Sequence, residues 1–349
     1  MTREYLFDRT GKIDYKKTVN SYSWLMESGH NIILSPDSDG FLCGLFLTNF
    51  LDSNICGFYD GKLLLLKKGI KTNGCIFVDV DINRNSVMSI GHHMVQYNKL
   101  LSAPNFQYDN CIQPNLIRNF DGRSDFQRKY PFGTIHLLLA VYHETGVIRK
   151  LSENAVWPLL FTDGVWNNLF GYTENCLDWI YFLDIDDKNN ILHNVFCDNG
   201  HSVYDVMKGI NSFLRIRDSL NAKGFYSDGE YTEGGRNKRT GDKLRISNNR
   251  GEPINIQKQS QSLYKIHDLE KSRVISFIKH MATQIEWNFL PDKWTWENFS
   301  LYVFSKDDFS GKRLNNTTYI QMMRKNPLSL AMTDGTNIEF TIDTENYLP

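Results

Sequence analysis

Short apolar runs that stop abruptly at acidic residues pattern the N-terminal half of the chain. Residues 31–43 read Asn-Ile-Ile-Leu-Ser-Pro-Asp-Ser-Asp-Gly-Phe-Leu-Cys. This predicts a buried strand over 31–35, a turn carrying Asp37 and Asp39, and a helix beginning near Gly40. Residues 41–51 are apolar almost all round, so that helix is expected to be buried. Strands are predicted over 54–59 and 74–80, with Leu63–Leu66 as strand or edge structure. The second of these runs ends in Asp79-Val-Asp81. Helices are expected over 14–28, 132–144, 172–183, 201–219 and 268–288. Asp163-Gly164 is read as a turn interrupting the aromatic stretch 154–170, and the alternation at 338–342 as a half-buried strand.

Strand, helix and strand in succession argue an α/β fold, a parallel sheet flanked by helices with right-handed crossovers. Residues 1–215 are assigned to that domain and 216–267 to a basic loop or linker. Residues 268–349 are assigned to a smaller α+β C-terminal module. Its aromatic residues, Trp287, Trp294, Trp296, Phe299, Tyr302 and Phe304, read first as a small-domain core. In open α/β sheets, ligands bind beyond the carboxyl ends of the strands, where Asp37 and Asp39 are expected. Paired carboxylates there need a cation or a proton.

The 349 residues carry a formal net charge of -1, so no global charge draws the chain to nucleic acid or membrane. Binding of a polyanion must rest on a local patch, and the candidate is the segment with Arg236, Lys238, Arg239, Lys243, Arg245 and Arg250. No apolar stretch is long enough to span a membrane, and no signal pattern opens the chain. Six cysteines without CxxC spacing read as free thiols of a cytoplasmic protein. Gly91-His92-His93 follows the two strand-end acidic pairs. Oxygen and imidazole ligands together suit Mn²⁺, and also Fe or Zn. His136 and His143 are placed outside the site as ordinary helix residues.

Taken in order, these segments resemble the DHH phosphoesterase superfamily, in particular its RecJ-like exonuclease and oligoribonuclease branches. Ser35-Pro-Asp-Ser-Asp-Gly40 resembles the first motif, Phe77-Val-Asp79 the second, Gly91-His92-His93 the Asp-His-His signature and Phe161-Thr-Asp163 the fourth. Ile112-Gln-Pro-Asn115 looks like the Asn-Pro-Asn element, and Gly133-Thr-Ile-His like the start of the helix after it. The resemblance covers residues 15–185. It implies one or two Mn²⁺ or Mg²⁺ ions, with Asp37 and Asp79 on the first. Asp39, Asp79, His92 and Asp163 fall on the second, and Asp79 bridges. His93 is implied to face the substrate phosphate and Asn115 to contact substrate; Arg236, Lys238 and Arg239 are expected as substrate contacts from the basic segment, not from the resemblance. The implied activity is hydrolysis of single-stranded DNA or RNA, or short oligonucleotides, by metal-activated water. Three positions depart from the pattern: Ile33 and Ser35 stand where first-site ligands are usual, and Gly91 replaces the Asp of Asp-His-His. Asp81 is the candidate replacement ligand. Two alternatives stay open: an inactive DHH-like scaffold or nucleotide-binding subunit, with a protein partner on its C-terminal module, and a phosphodiesterase for a cyclic or linear dinucleotide.

Overall fold

The computed structural model describes residues 11–198, 200–221, 225–227, 230–232, 242–308, 313–343 and 348. The substrate residues expected at Arg236, Lys238 and Arg239 lie outside the described residues.

Helix α1 (Tyr15–Ser21) leads to β1 (Asn31–Leu34), α2 (Ser38–Phe50), β2 (Asn54–Tyr59), β3 (Leu63–Lys67), β4 (Cys75–Val78), β5 (Met88–Ile90) and β6 (Cys111–Ile112). Next come α3 (Thr134–Glu144), α4 (Val156–Phe161), α5 (Val165–Gly171), α6 (Thr173–Phe182) and α7 (Val203–Asn221). The hairpin β7 (Phe225–Ser227) and β8 (Glu230–Thr232) forms its own two-stranded sheet. The remainder is β9 (Ile256–Lys258), β10 (Tyr264–Ile266), α8 (Asp268–Ile285), β11 (Phe299–Val303), β12 (Ser305–Asp308), α9 (Asn316–Met323), β13 (Pro327–Met332) and β14 (Ile338–Ile342).

Nine strands form one sheet in the order β6-β5-β4-β1-β2-β3-β11-β10-β9. The five from β6 to β2 are parallel, as the strand-helix-strand pattern predicts. The remaining four pair antiparallel, so the sheet is mixed. β1 lies inside the parallel half, and Ile32, Ile33 and Leu34 are fully buried. Ile32 and Leu34 face the helical layer, while Ile33 joins Phe77, Tyr59 and Leu66 on the other face under Phe304 and Leu328.

The expected boundaries at 216 and 268 do not separate units of the sheet. β3 carries four consecutive leucines and pairs with β11 over Lys67↔Phe299 to Leu63↔Val303. An apolar edge of that kind must be covered, and the chain covers it with its own later strand. β9 and β10, from the expected linker, extend the same sheet. α8 packs on α2 and α4. Trp294 and Trp296 are buried in this shared core. The segment after Val303 builds a three-stranded sheet of its own, β12-β14-β13, with α9 alongside in sequence. No helix among the described residues is long and apolar enough to cross a membrane.

Candidate metal centre

β1 ends at Leu34, and Ser35-Pro36 turns the chain into α2. Asp37 is the N-cap, its Oδ1 accepting the Gly40 N–H at 3.3 Å. Asp39 follows in the first turn, where a carboxylate is favoured by the helix dipole. Its side chain points into the protein and is wholly buried. There it meets the N-terminus of α3: Oδ2 accepts the Thr134 N–H at 2.5 Å and Oδ1 the Ile135 N–H at 3.0 Å. These are orphan donors of a helix start, satisfied by a carboxylate from another helix. The approach requires glycine at 133, because a Cβ there would stand 2.9 Å from the Asp39 carboxylate.

Asp79 comes immediately after β4, with φ at +62°, and Asp163 sits in the kink between α4 and α5, with φ at +51°. The two turns use left-handed backbone, a conformation that Asp tolerates better than most residues. Both turns aim their carboxylates at His92, which lies in the loop after β5. His92 Nδ1 is 3.3 Å from Asp79 Oδ1 and 3.8 Å from Asp39 Oδ2, and Nε2 is 3.5 Å from Asp163 Oδ2. One ligand atom from each of Asp39, Asp79, His92 and Asp163 lies within 4.8 Å of all the others. The Thr134 hydroxyl stands between two of them, donating to Asp79 Oδ1 at 2.9 Å, with His92 Nδ1 also at 2.9 Å.

Burial pushes the Asp39 carboxyl well above the usual carboxylate range, and the charges of Asp79 and Asp163 push it further. Asp79 is raised in the same way by burial and by Asp37 and Asp163. Three converging carboxylates with one imidazole form a donor set short of positive charge. A metal ion held by carboxylate and imidazole ligands would fit that set.

The other predicted residues fall into different places. Asp37 lies at the rim, where its Oδ2 is 3.9 Å from Lys243 Nζ, and its charge holds Lys243 above the usual lysine range. His93 stacks on His92 with ring centroids 4.6 Å apart, and its side chain is 42% exposed to the cleft. Asp81 is not one of the converging ligands. Its Oδ2 accepts the His93 N–H at 3.0 Å and lies 3.2 Å from His93 Nδ1, and Cys111 Sγ lies 3.6 Å from Oδ1. Asn115, expected to contact substrate, is buried instead. Its amide donates to the His92 carbonyl at 3.0 Å, and its Oδ1 accepts the Tyr130 N–H at 2.8 Å, so it braces the loop that carries His92.

His136 is outside the site, as expected. Buried between the Gly133 N–H and the Leu159 carbonyl, it is driven down to about 4 by desolvation and stays neutral. Sequence reasoning missed Thr134 and Gly133 as members of the site. The visible signal was Gly133-Thr-Ile-His at the head of a strong apolar helix.

The cluster opens into a cleft of about 500 Å³. Its inner end is formed by Asp37, Asp79, His92, His93 and Asp163, and Lys243 and Arg245 stand along its wall. The chain matches no family model, no curated protein and no solved structure.

Proposed function

We propose that this chain is a divalent-metal-dependent hydrolase of phosphodiester bonds in single-stranded nucleic acid or short oligonucleotides. The observation that carries the reading is the convergence of Asp39, Asp79, His92 and Asp163 at the carboxyl ends of parallel strands, where α/β folds bind ligands. The ordered resemblance to the DHH phosphoesterases supports the choice of reaction.

Asp39, Asp79, His92 and Asp163 would hold the ion, Mn²⁺ or Mg²⁺. When bound, such an ion polarises a phosphoryl oxygen and makes water a stronger nucleophile near neutral pH. The chain's own residues do the rest. The α3 N–H groups fix Asp39, and the Thr134 hydroxyl fixes Asp79 against His92. His93, on the open side of His92, reaches a phosphate lying in the cleft. Lys243 adds positive charge at the same rim.

The converging donors serve one ion. Asp37 is engaged with Gly40 and Lys243, and Ile33, where the family places a histidine, is buried against Phe77. That observation favours a second reading, a scaffold that binds metal and nucleic acid without turnover. Asp163→Ala separates the two, because Asp163 is the most exposed of the four ligands and its loss leaves the buried hydrogen bonds intact. The experiment counts Mn²⁺ per chain and follows end-labelled single-stranded DNA and RNA. Bound Mn²⁺ with cleavage that Asp163→Ala abolishes is the expected result. Bound Mn²⁺ without cleavage leaves the scaffold, and no bound Mn²⁺ in a folded chain overturns both.

A further inference from the structure

One wall of the cleft is a strap, residues 242–249, extended over 243–247 before it turns. Its side chains alternate. Leu244 and Ile246 are buried in the core, while Lys243, Arg245 and Asn249 line the cleft. The strap is held along its length. The Leu244 N–H donates to the Pro36 carbonyl at 2.8 Å, in the same turn that carries Asp37. Arg273, paired with Glu270 inside the core, donates to the Lys243 carbonyl. Asn255 donates to the Arg245 carbonyl at 2.9 Å, and the Ile254 N–H donates to Ile246 at 2.9 Å. Lys243 therefore stands at the metal rim by construction, and Arg245 stands one step further out.

Arg245 makes no ion pair with any of the described residues. Asp60, which also lines the cleft, is engaged by the Lys62 and Leu63 N–H groups and by the Ser247 hydroxyl of the strap itself. In an extended strand, alternate residues are about 6.6 Å apart. That step is comparable to the spacing of successive phosphates along an extended polynucleotide. A guanidinium two residues beyond a lysine suits an array of phosphate oxygens.

We infer that Lys243, Arg245 and Asn249 form the track on which the sugar–phosphate backbone of a single-stranded polynucleotide leaves the metal centre. The inference rests on the hydrolase reading and extends it by naming where the polymer lies. A track of this kind contacts several phosphates, so it distinguishes a polymer from a dinucleotide.

The test is fluorescence anisotropy of labelled dodecathymidylate and labelled dithymidylate on the full chain with Mg²⁺, as salt is raised. Wild type, Arg245→Gln and Arg245→Lys are compared, with thermal melts to confirm folding. Arg245→Gln is expected to weaken the dodecamer about tenfold at low salt and to reduce the log–log salt slope by about 0.7, one phosphate of a single strand. Arg245→Lys should keep the slope. An unchanged slope in a folded Arg245→Gln protein overturns the track. Dithymidylate binding as tightly as the dodecamer overturns it too, in favour of a small ligand held at the metal rim. Mn²⁺ counting on separate Mn²⁺-loaded samples of the same proteins scores the hydrolase reading separately: binding with a steep slope by a chain that takes up no Mn²⁺ would keep the track and discard the hydrolase.

Discussion

The carboxylate of Asp81 occupies the space that a side chain on Gly91 would need. A Cβ at 91 would stand 2.4 Å from Asp81 Oδ1 and 2.7 Å from Oδ2. Gly91 is not at a positive φ, so steric room and not backbone strain excludes a side chain there. The same carboxylate holds the His93 N–H and faces the His93 ring. The chain thus places an acid from position 81 beside the histidine pair. Gly91→Ala is expected to cost about 1–3 kcal/mol by overpacking. In an Asp81→Gly background the same substitution should cost little. Urea denaturation of the four-member cycle measures the coupling, and equal costs in the two backgrounds would show that the two positions do not share that space.

Thr134 links two of the proposed ligands to the head of α3. Thr134→Val keeps the shape and removes the hydroxyl, leaving Asp79 Oδ1 and His92 Nδ1 without the bond that orients them. The expected loss is about 1–3 kcal/mol of stability. Manganese affinity should also fall by about 10–100-fold, as for other residues that orient ligands. Calorimetric titration of Mn²⁺ into the folded variant checks the second figure. Unchanged affinity would place Thr134 outside the site's support.

Much of the candidate metal centre is legible in the sequence because it depends on local chemistry. An apolar run that stops at Ser35-Pro36 must end a strand, Asp37 is a natural N-cap, and Asp163-Gly164 interrupts an aromatic helix. What the sequence hides is decided at long range. The partner of Asp39 is a helix start 95 residues later, and nothing near Asp39 names it. Asp81 reads as a ligand until the room left by Gly91 is known. The run Leu63–Leu66 reads alike for a parallel or an antiparallel strand. Its pairing with β11 therefore escaped the division into domains. The strap at 242–249 is polar and its alternation is too short to stand out, so it reads as linker.

Arg118 and Asp178 provide a control away from the centre. Their side chains are almost wholly buried, with Nη1 to Oδ2 at 2.8 Å, and the guanidinium lies 4.5 to 4.6 Å from the ring centroids of Phe120, Trp179 and Phe182. Removing one member strands the other charge in an aromatic box. Asp178→Ala is expected to cost about 3–5 kcal/mol while leaving the Mn²⁺ count unchanged in whatever fraction remains folded. A shift in urea midpoint worth less than about 1 kcal/mol would mean that Arg118 finds another anionic or polar partner, because Arg128, 3.6 Å from the same carboxylate, carries the same charge and cannot offset it.

Stability and metal should depend on pH in opposite senses. Asp39 and Asp79 have raised proton affinity in the metal-free fold, above the ordinary value of 3.8. Between that value and the raised ones, the folded chain binds more protons than the unfolded chain. The metal-free protein therefore loses stability as pH rises through the raised values, and holds this contribution fully only below about pH 4. A divalent ion binds the deprotonated carboxylates, so its stabilisation grows over the same rise, reaching about 2.7 kcal/mol when free Mn²⁺ is a hundredfold above its Kd. Melting curves with chelator and with Mn²⁺, taken from mildly acidic to mildly alkaline pH, should diverge as pH increases. Parallel curves would mean that Asp39 and Asp79 do not give up protons to a metal, and the proposed centre would fall with that result.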